Sequence, residues 1–224
     1  IMELNKDIES QKKLASQWFK SLRDDFCKSF EKLDQKKFSR KSWNHKGEGG
    51  GEMSVMRGDV FEKVGVNIST VSGEFSEDYR TQVKGTQGSP KYWATGISLV
   101  AHMMSPKIPA FHFNTRFLVT QDSWFGGGTD MTPTLENEED TDFFHSSLKS
   151  VCDKHDNNYY EDFKKNCDEY FYLPHRNEPR GVGGIFFDHL NTGNWDKDFN
   201  FVKEVGRQTS VSYTHLRAHE THPN

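Results

Sequence analysis

AFHFNTRFLV, residues 110–119, alternates large apolar and polar side chains with a period of two. A strand with that period puts Phe111, Phe113, Thr115 and Phe117 on one face and His112, Asn114 and Arg116 on the other. An imidazole, an amide and a guanidinium in a row are costly to bury unpaired and wasted on bulk water. They are expected to line a cavity, while the aromatic face is expected to close a core.

Working outward, Gly96 to His102 reads as a strand that reaches this one through a turn bounded by Pro106 and Pro109. Trp124 to Asp130 sets three consecutive glycines beside two large rings, which suits a bulge, a hairpin turn or a loop that a ligand approaches closely. Upstream, Met53–Arg57 and Val64–Phe75 are β-branched segments punctuated by Gly58, Gly65 and Gly73, as in adjacent antiparallel strands. Gly47 to Gly51 lacks the Lys-Ser or Lys-Thr pair of a phosphate cradle and reads as a tight strand connection. Leu14, Trp18, Leu22, Phe26, Phe30 and Leu33 recur at helical steps, predicting one amphipathic helix over residues 4–33. Asp78–Lys91 reads as a loop. Downstream, Asp140–Cys152 and Tyr159–Tyr172 are helical, Gly181–Leu190 is a strand and Lys197–Val205 opens another short helix.

The chain has 224 residues, enough for one large core. Only 33% are hydrophobic, but 18 Phe, 7 Tyr and 5 Trp imply an interior built from rings. The 29 basic and 33 acidic residues are spread along the chain, giving a net charge of −4. That argues against a nucleic-acid footprint and leaves any anionic partner to local arginines. Cys27, Cys152 and Cys167 form no C-x-x-C pair and no disulfide framework, so a reducing, cytoplasmic setting is expected. No apolar run reaches the ~20 residues of a transmembrane helix. The chain opens on Ile1 rather than Met, so a mitochondrial or plastid targeting peptide ahead of it stays open.

The runs S-L-V-A-H at Ser98 to His102, P-x-x-P-x-x-H-x-N-x-R at Pro106 to Arg116 and W-F-G-G-G-x-D-x-T-P at Trp124 to Pro133 together resemble oxygen-dependent coproporphyrinogen oxidase. The resemblance extends through Gly49–Ser69 and Phe163–Asp188 and covers roughly residues 10–207. It implies an α+β fold: a broad, mainly antiparallel sheet covered by helices on both faces, with the substrate cleft between sheet and helices. It also implies oxidative decarboxylation of coproporphyrinogen III to protoporphyrinogen IX, with molecular oxygen as co-substrate, no organic cofactor, and a homodimer. The glycine run becomes a substrate-facing loop.

By the same resemblance His112 is the proton-transfer residue, and Ser98, Asn114, Thr115 and Arg116 contact substrate, although the alternation puts Thr115 on the apolar face. An imidazole titrating near ~6.5 suits proton transfer, and a guanidinium suits a propionate carboxylate. Asp130 is a further catalytic candidate as an acceptor for a pyrrole N–H, or else a turn cap. Arg176 and Arg180 flank Glu178 as in a surface ion-pair network. No G-x-S-x-G elbow surrounds Ser98, which argues against a nucleophile. His102, His112, His145 and His175 match positions described as metal-binding in bacterial relatives; imidazole suits a divalent metal, but the spacing is irregular, and structural histidines are the alternative. Two other functions stay open on the residues: a His-rich metalloenzyme of different chemistry and a non-catalytic tetrapyrrole-binding fragment.

From Thr209, TSVSYTHLRAHETHPN has no amphipathic period and departs from the family's expected continuation. It reads as a non-native or disordered tail, residues 209–224, on a domain of residues 1–208. That departure would remove the family's C-terminal Gly-Gly-Arg substrate loop, an Asp implicated in proton transfer and part of the dimer contact.

Overall fold

The computed structural model describes residues 2–220, with side chains described over residues 7–215. Its elements follow in the order α1 (Met2–Asp34), β1 (Ser39–Asn44), β2 (Glu48–Met56), β3 (Phe61–Glu74), α2 (Glu77–Arg80), β4 (Lys91–Met103), β5 (Ala110–Val119), β6 (Ser123–Thr132), α3 (Glu138–Asp153), α4 (Tyr159–Tyr170), β7 (Tyr172–Leu173), β8 (Glu178–Pro179), β9 (Gly183–Leu190) and α5 (Trp195–Glu220). One sheet of seven strands, in the order β1-β2-β3-β4-β5-β6-β9, dominates, and every pairing in it is antiparallel. The first six strands are neighbours in sequence, so the sheet grows as a meander until α3 and α4 intervene before β9. This is the expected α+β class.

The Phe side of β5 closes the core. Leu99 and Phe113 are register partners, as are Ile97 and Thr115, and their side chains are buried. Phe26 of α1 meets Phe113 edge-on at 5.5 Å, Phe144 of α3 meets Phe111 at 5.4 Å, and Phe199 of α5 stacks on Phe125 at 5.7 Å. Edge-to-face and offset ring pairs add to the area they bury. Along α1 the buried stripe is Ala15, Phe19, Leu22, Phe26, Cys27 and Phe30, while Leu14 of the expected stripe is 49% exposed. Asp34 ends that helix buried, and its carboxylate accepts from the backbone N–H groups of Asp59, Val60 and Phe61 at 2.8–3.2 Å, fastening the β2–β3 turn to α1.

The helices are distributed unevenly between the two faces. Among the described residues α1, α3 and α5 all pack on the Phe face. α4 lies along β9 at the sheet edge: Phe163 touches Phe187 on the core side, and Tyr170 at its far end stacks on Phe186 on the other side. The physical reason is the alternation itself. A helix's apolar stripe needs an apolar partner, and only one face of this sheet offers one. Among the described residues the opposite face carries no such helix.

At the C-terminal end the backbone does not break at Thr209. α5 continues as one helix to Glu220, where a short helix over Lys197–Val205 was expected. Thr209, Ser212 and Tyr213 are buried, with Tyr213 packed against Phe30, Phe61 and Phe111.

A candidate active site on the open sheet face

Side chains on the open face fall into three rows set by strand register. One row runs Gly65, Val100, His112, Asp130, Gly184; the next runs Met53, Asn67, Ser98, Asn114, Gly128, Phe186; the third runs Gly51, Ser69, Gly96, Arg116, Gly126. The third row alternates polar groups with glycine, whereas the first sets His112 beside Asp130 and the second sets Asn67, Ser98 and Asn114 side by side.

His112 and Asp130 are paired across β5 and β6. His112 Nδ1 lies 3.4 Å from Asp130 Oδ2, close enough for a strong electrostatic pull but long for a hydrogen bond, and Nδ1 is buried with no hydrogen-bond partner. The ring of His102 stands edge-on to that of His112 with centroids 6.2 Å apart. Asp130 is held by Arg180 through a fork, with Nε to Oδ2 at 3.1 Å and Nη2 to Oδ1 at 2.8 Å. Such a planar, charge-assisted clamp fixes where the buried carboxylate sits and how it is oriented. Arg180 is fixed from below by the ring of Phe171, 3.9 Å from the guanidinium carbon.

The local sequence explains how Arg180 gets there. After the β7–β8 hairpin its backbone N–H donates to the carbonyl of Phe171, and Gly181 follows with φ +59, a left-handed conformation that glycine takes freely. A Cβ at Gly181 would also collide with the Met131 carbonyl on β6. The chain therefore turns hard against the edge of β6 and sends Arg180 back over Asp130. Arg180 does not join the expected surface network; Arg176 and Glu178 pair with each other at 2.7 Å. Nearby, burial and then the charge of Asp130 push the Cys167 thiol up to about 12, so it stays protonated.

In the third row Arg116 Nη2 lies 3.0 Å from Asp188 Oδ1. The pair spans Gly126, where a Cβ would come within 2.6 Å of Asp188 and 2.9 Å of Arg116. This accounts for one glycine of the Gly126–Gly128 run. Gly127 accounts for a second: it sits beside a β-bulge at φ +151, where a Cβ would strike the backbone of β5. The run is a bulged central strand, not the expected substrate-facing loop. One guanidinium has five N–H donors, so the contact to Asp188 leaves others facing the open side.

Ser98, Asn114, Arg116, His112 and Asp130 are thus brought together on one surface. Thr115 is not. Its side chain is 1% exposed on the core face, with Oγ1 buried and unpartnered, so the expected substrate contact through it is corrected. The strand's parity forbids anything else, because residues 114 and 116 already point the other way.

The four histidines do not form a metal centre either. Only His102 and His112 are neighbours. His145, on α3, is bonded through Nε2 to the Val182 carbonyl at 2.8 Å and through Nδ1 to the Tyr160 hydroxyl at 3.0 Å, which occupies both of its nitrogens. Burial depresses its pKa. His175 is exposed in the turn between β7 and β8. Among the described residues no three His, Cys, Asp or Glu side chains converge as a ligand set. These residues do not fit a metal, and no step below is routed through one.

Two residues of this face went unread in the sequence, Asp188 and Asn67. Both had a signal in the alternation that placed His112: Gly184, Phe186 and Asp188 share one parity, and so do Gly65, Asn67 and Ser69.

The molecule is an α+β domain, dominated by one antiparallel sheet, that carries an imidazole, a clamped carboxylate and an arginine on one open face. The family model described as coproporphyrinogen III oxidase matches residues 14–223. The chain is 56% identical over 205 residues to the oxygen-dependent coproporphyrinogen-III oxidase of Rickettsia akari, covering 87% of this chain and 74% of that one. It is 54% identical over 218 residues to the protein of the same name from Rickettsia bellii, with 93% and 78% covered. The chain belongs to the coproporphyrinogen III oxidase family.

Proposed function

We propose that the protein catalyses the oxygen-dependent oxidative decarboxylation of coproporphyrinogen III to protoporphyrinogen IX in haem biosynthesis. Each reacting propionate, –CH2–CH2–COO⁻, becomes a vinyl group by losing CO2, one proton and two electrons, and molecular oxygen takes up the electrons. The observation that carries this reading is the alignment of His112, Asn114 and Arg116 on an open face beside an Asp130 clamped by Arg180.

Arg116 anchors a propionate with the donors that Asp188 leaves free. Asp130, held in place by Arg180, accepts a pyrrole N–H and orients the ring. His112 moves protons at the reacting centre, and its buried Nδ1 faces Asp130. Ser98 and Asn114 supply neutral contacts along the same floor. The enzyme works as a homodimer in the cytoplasm. In support, Trp43, on the edge strand β1 and on the open side, is 37% exposed, an apolar group of the kind another surface covers. No helix among the described residues is long and apolar enough to cross a membrane.

The test is to give the protein anaerobically reduced coproporphyrinogen III and then admit oxygen. Protoporphyrinogen IX should form only after oxygen enters. Equal turnover without oxygen, or turnover that requires S-adenosylmethionine, would overturn the assignment.

A further inference from the structure

Asn67 stands in the middle row of the open face, in register with Ser98, which is in register with Asn114. Two strand spacings, roughly 10 Å, separate its backbone from that of Asn114. Its side chain is half-buried. Beside it on the same face, the position where Gly65 would carry a Cβ is open space, and the nearest atom is Asn67 Nδ2 at 4.0 Å. The amide nitrogen therefore borders a vacant strip of floor, opposite the end of the row closed by Phe186.

We infer that Asn67 is a further substrate-contacting residue, whose amide N–H groups bind a second carboxylate of the tetrapyrrole and help to set which propionate reaches His112. The inference rests on the activity proposed above. A substrate with four carboxylates spread around a macrocycle needs donors at separated points, and Arg116 serves one of them from the neighbouring row. An amide suits the second: it offers two N–H donors without adding charge. Met53, the register partner of Asn67 on β2, is half-exposed and gives an apolar border against which the macrocycle's edge can rest.

The test uses the full chain and coproporphyrin III, the oxidised four-carboxylate macrocycle, as a fluorescence-quenching probe. Asn67→Asp puts a carboxylate against a carboxylate and should weaken binding by about ten- to a hundredfold; Asn67→Ala, which only removes the donors, should weaken it by about tenfold. Asn67→Ser keeps one donor and should fall between Asn67→Ala and the parent, which preserves the test where Asn67→Asp misfolds. Melting temperatures should stay close to the parent's, and a purely structural role would move them without separating Asp from Ala in binding. Parent-like affinity in folded Asn67→Asp and Asn67→Ser would overturn the inference alone. Failure of the parent to bind the probe saturably would overturn the proposed function, and this inference with it.

Discussion

On one side of the sheet Phe111, Phe113 and Phe117 lock against rings from α1, α3 and β6; on the other, from the same strand, His112, Asn114 and Arg116 remain half-exposed. Both sets share the same backbone hydrogen bonds. What differs is the partner each side chain finds, so one strand can carry stability on odd residues and chemistry on even ones. The core face is close-packed and intolerant of lost volume. The open face carries charges whose arrangement matters more than their burial. Substitutions on the two faces should accordingly separate folding from turnover.

The largest effect is expected on the core face. Phe113→Ala removes a buried ring that meets Phe26 and should cost about 3–5 kcal/mol, read by urea denaturation. A loss under about 1 kcal/mol would mean that α1 does not seat as described. Arg180→Ala comes next and sharpens the comparison, because it breaks a pair belonging to the open face while leaving Asp130 buried and unpaired. Removing one partner of a buried pair costs about 3–5 kcal/mol, and the lower end applies here because Arg180 is 29% exposed. Adding Asp130→Asn should return most of the stability and none of the turnover. Recovery of both would make the clamp purely structural.

How far all this was legible in the sequence follows from the same alternation. The faces of β5, with His112, Asn114 and Arg116 on one of them, could be read because the period of two is unbroken there; α1 could be read from its helical steps, and Ser98 joined the group through the family resemblance. Arg180 could not be read. Its route to Asp130, 50 residues away in sequence, depends on the left-handed turn at Gly181 and on the pairing of β6 with β9. The glycine run misled for a related reason, since close strand approach and a bulge need glycine as much as a loop does. Nor could histidine spacing reveal that Val182 and Tyr160 occupy His145. The helix through Thr209–Tyr213 had no amphipathic signature because its buried contacts include Thr209 and Ser212 as well as Tyr213.

A smaller effect concerns pH. His145 is held neutral by burial, so its folded pKa lies below that of the unfolded chain. The unfolded state therefore takes up the proton first. The stability His145 contributes is full above about pH 6.5 and is lost as pH falls through that value toward the lower folded one. His145→Phe should flatten this part of the stability–pH curve; an unchanged slope would place the responsible group elsewhere.

The most direct measurement sets Arg116→Lys beside Thr115→Val, adjacent residues on opposite faces. Arg116→Lys keeps the charge and loses the fork, worth roughly 1.5–3 kcal/mol for a charge-assisted bond, so kcat/KM should fall by about ten- to a hundredfold with the melt unchanged. Thr115→Val replaces a buried, unpartnered hydroxyl and should leave turnover alone while shifting stability by no more than about 1 kcal/mol. Turnover abolished by Thr115→Val and untouched by Arg116→Lys, both in folded protein, would contradict the division of the sheet into a core face and a catalytic one.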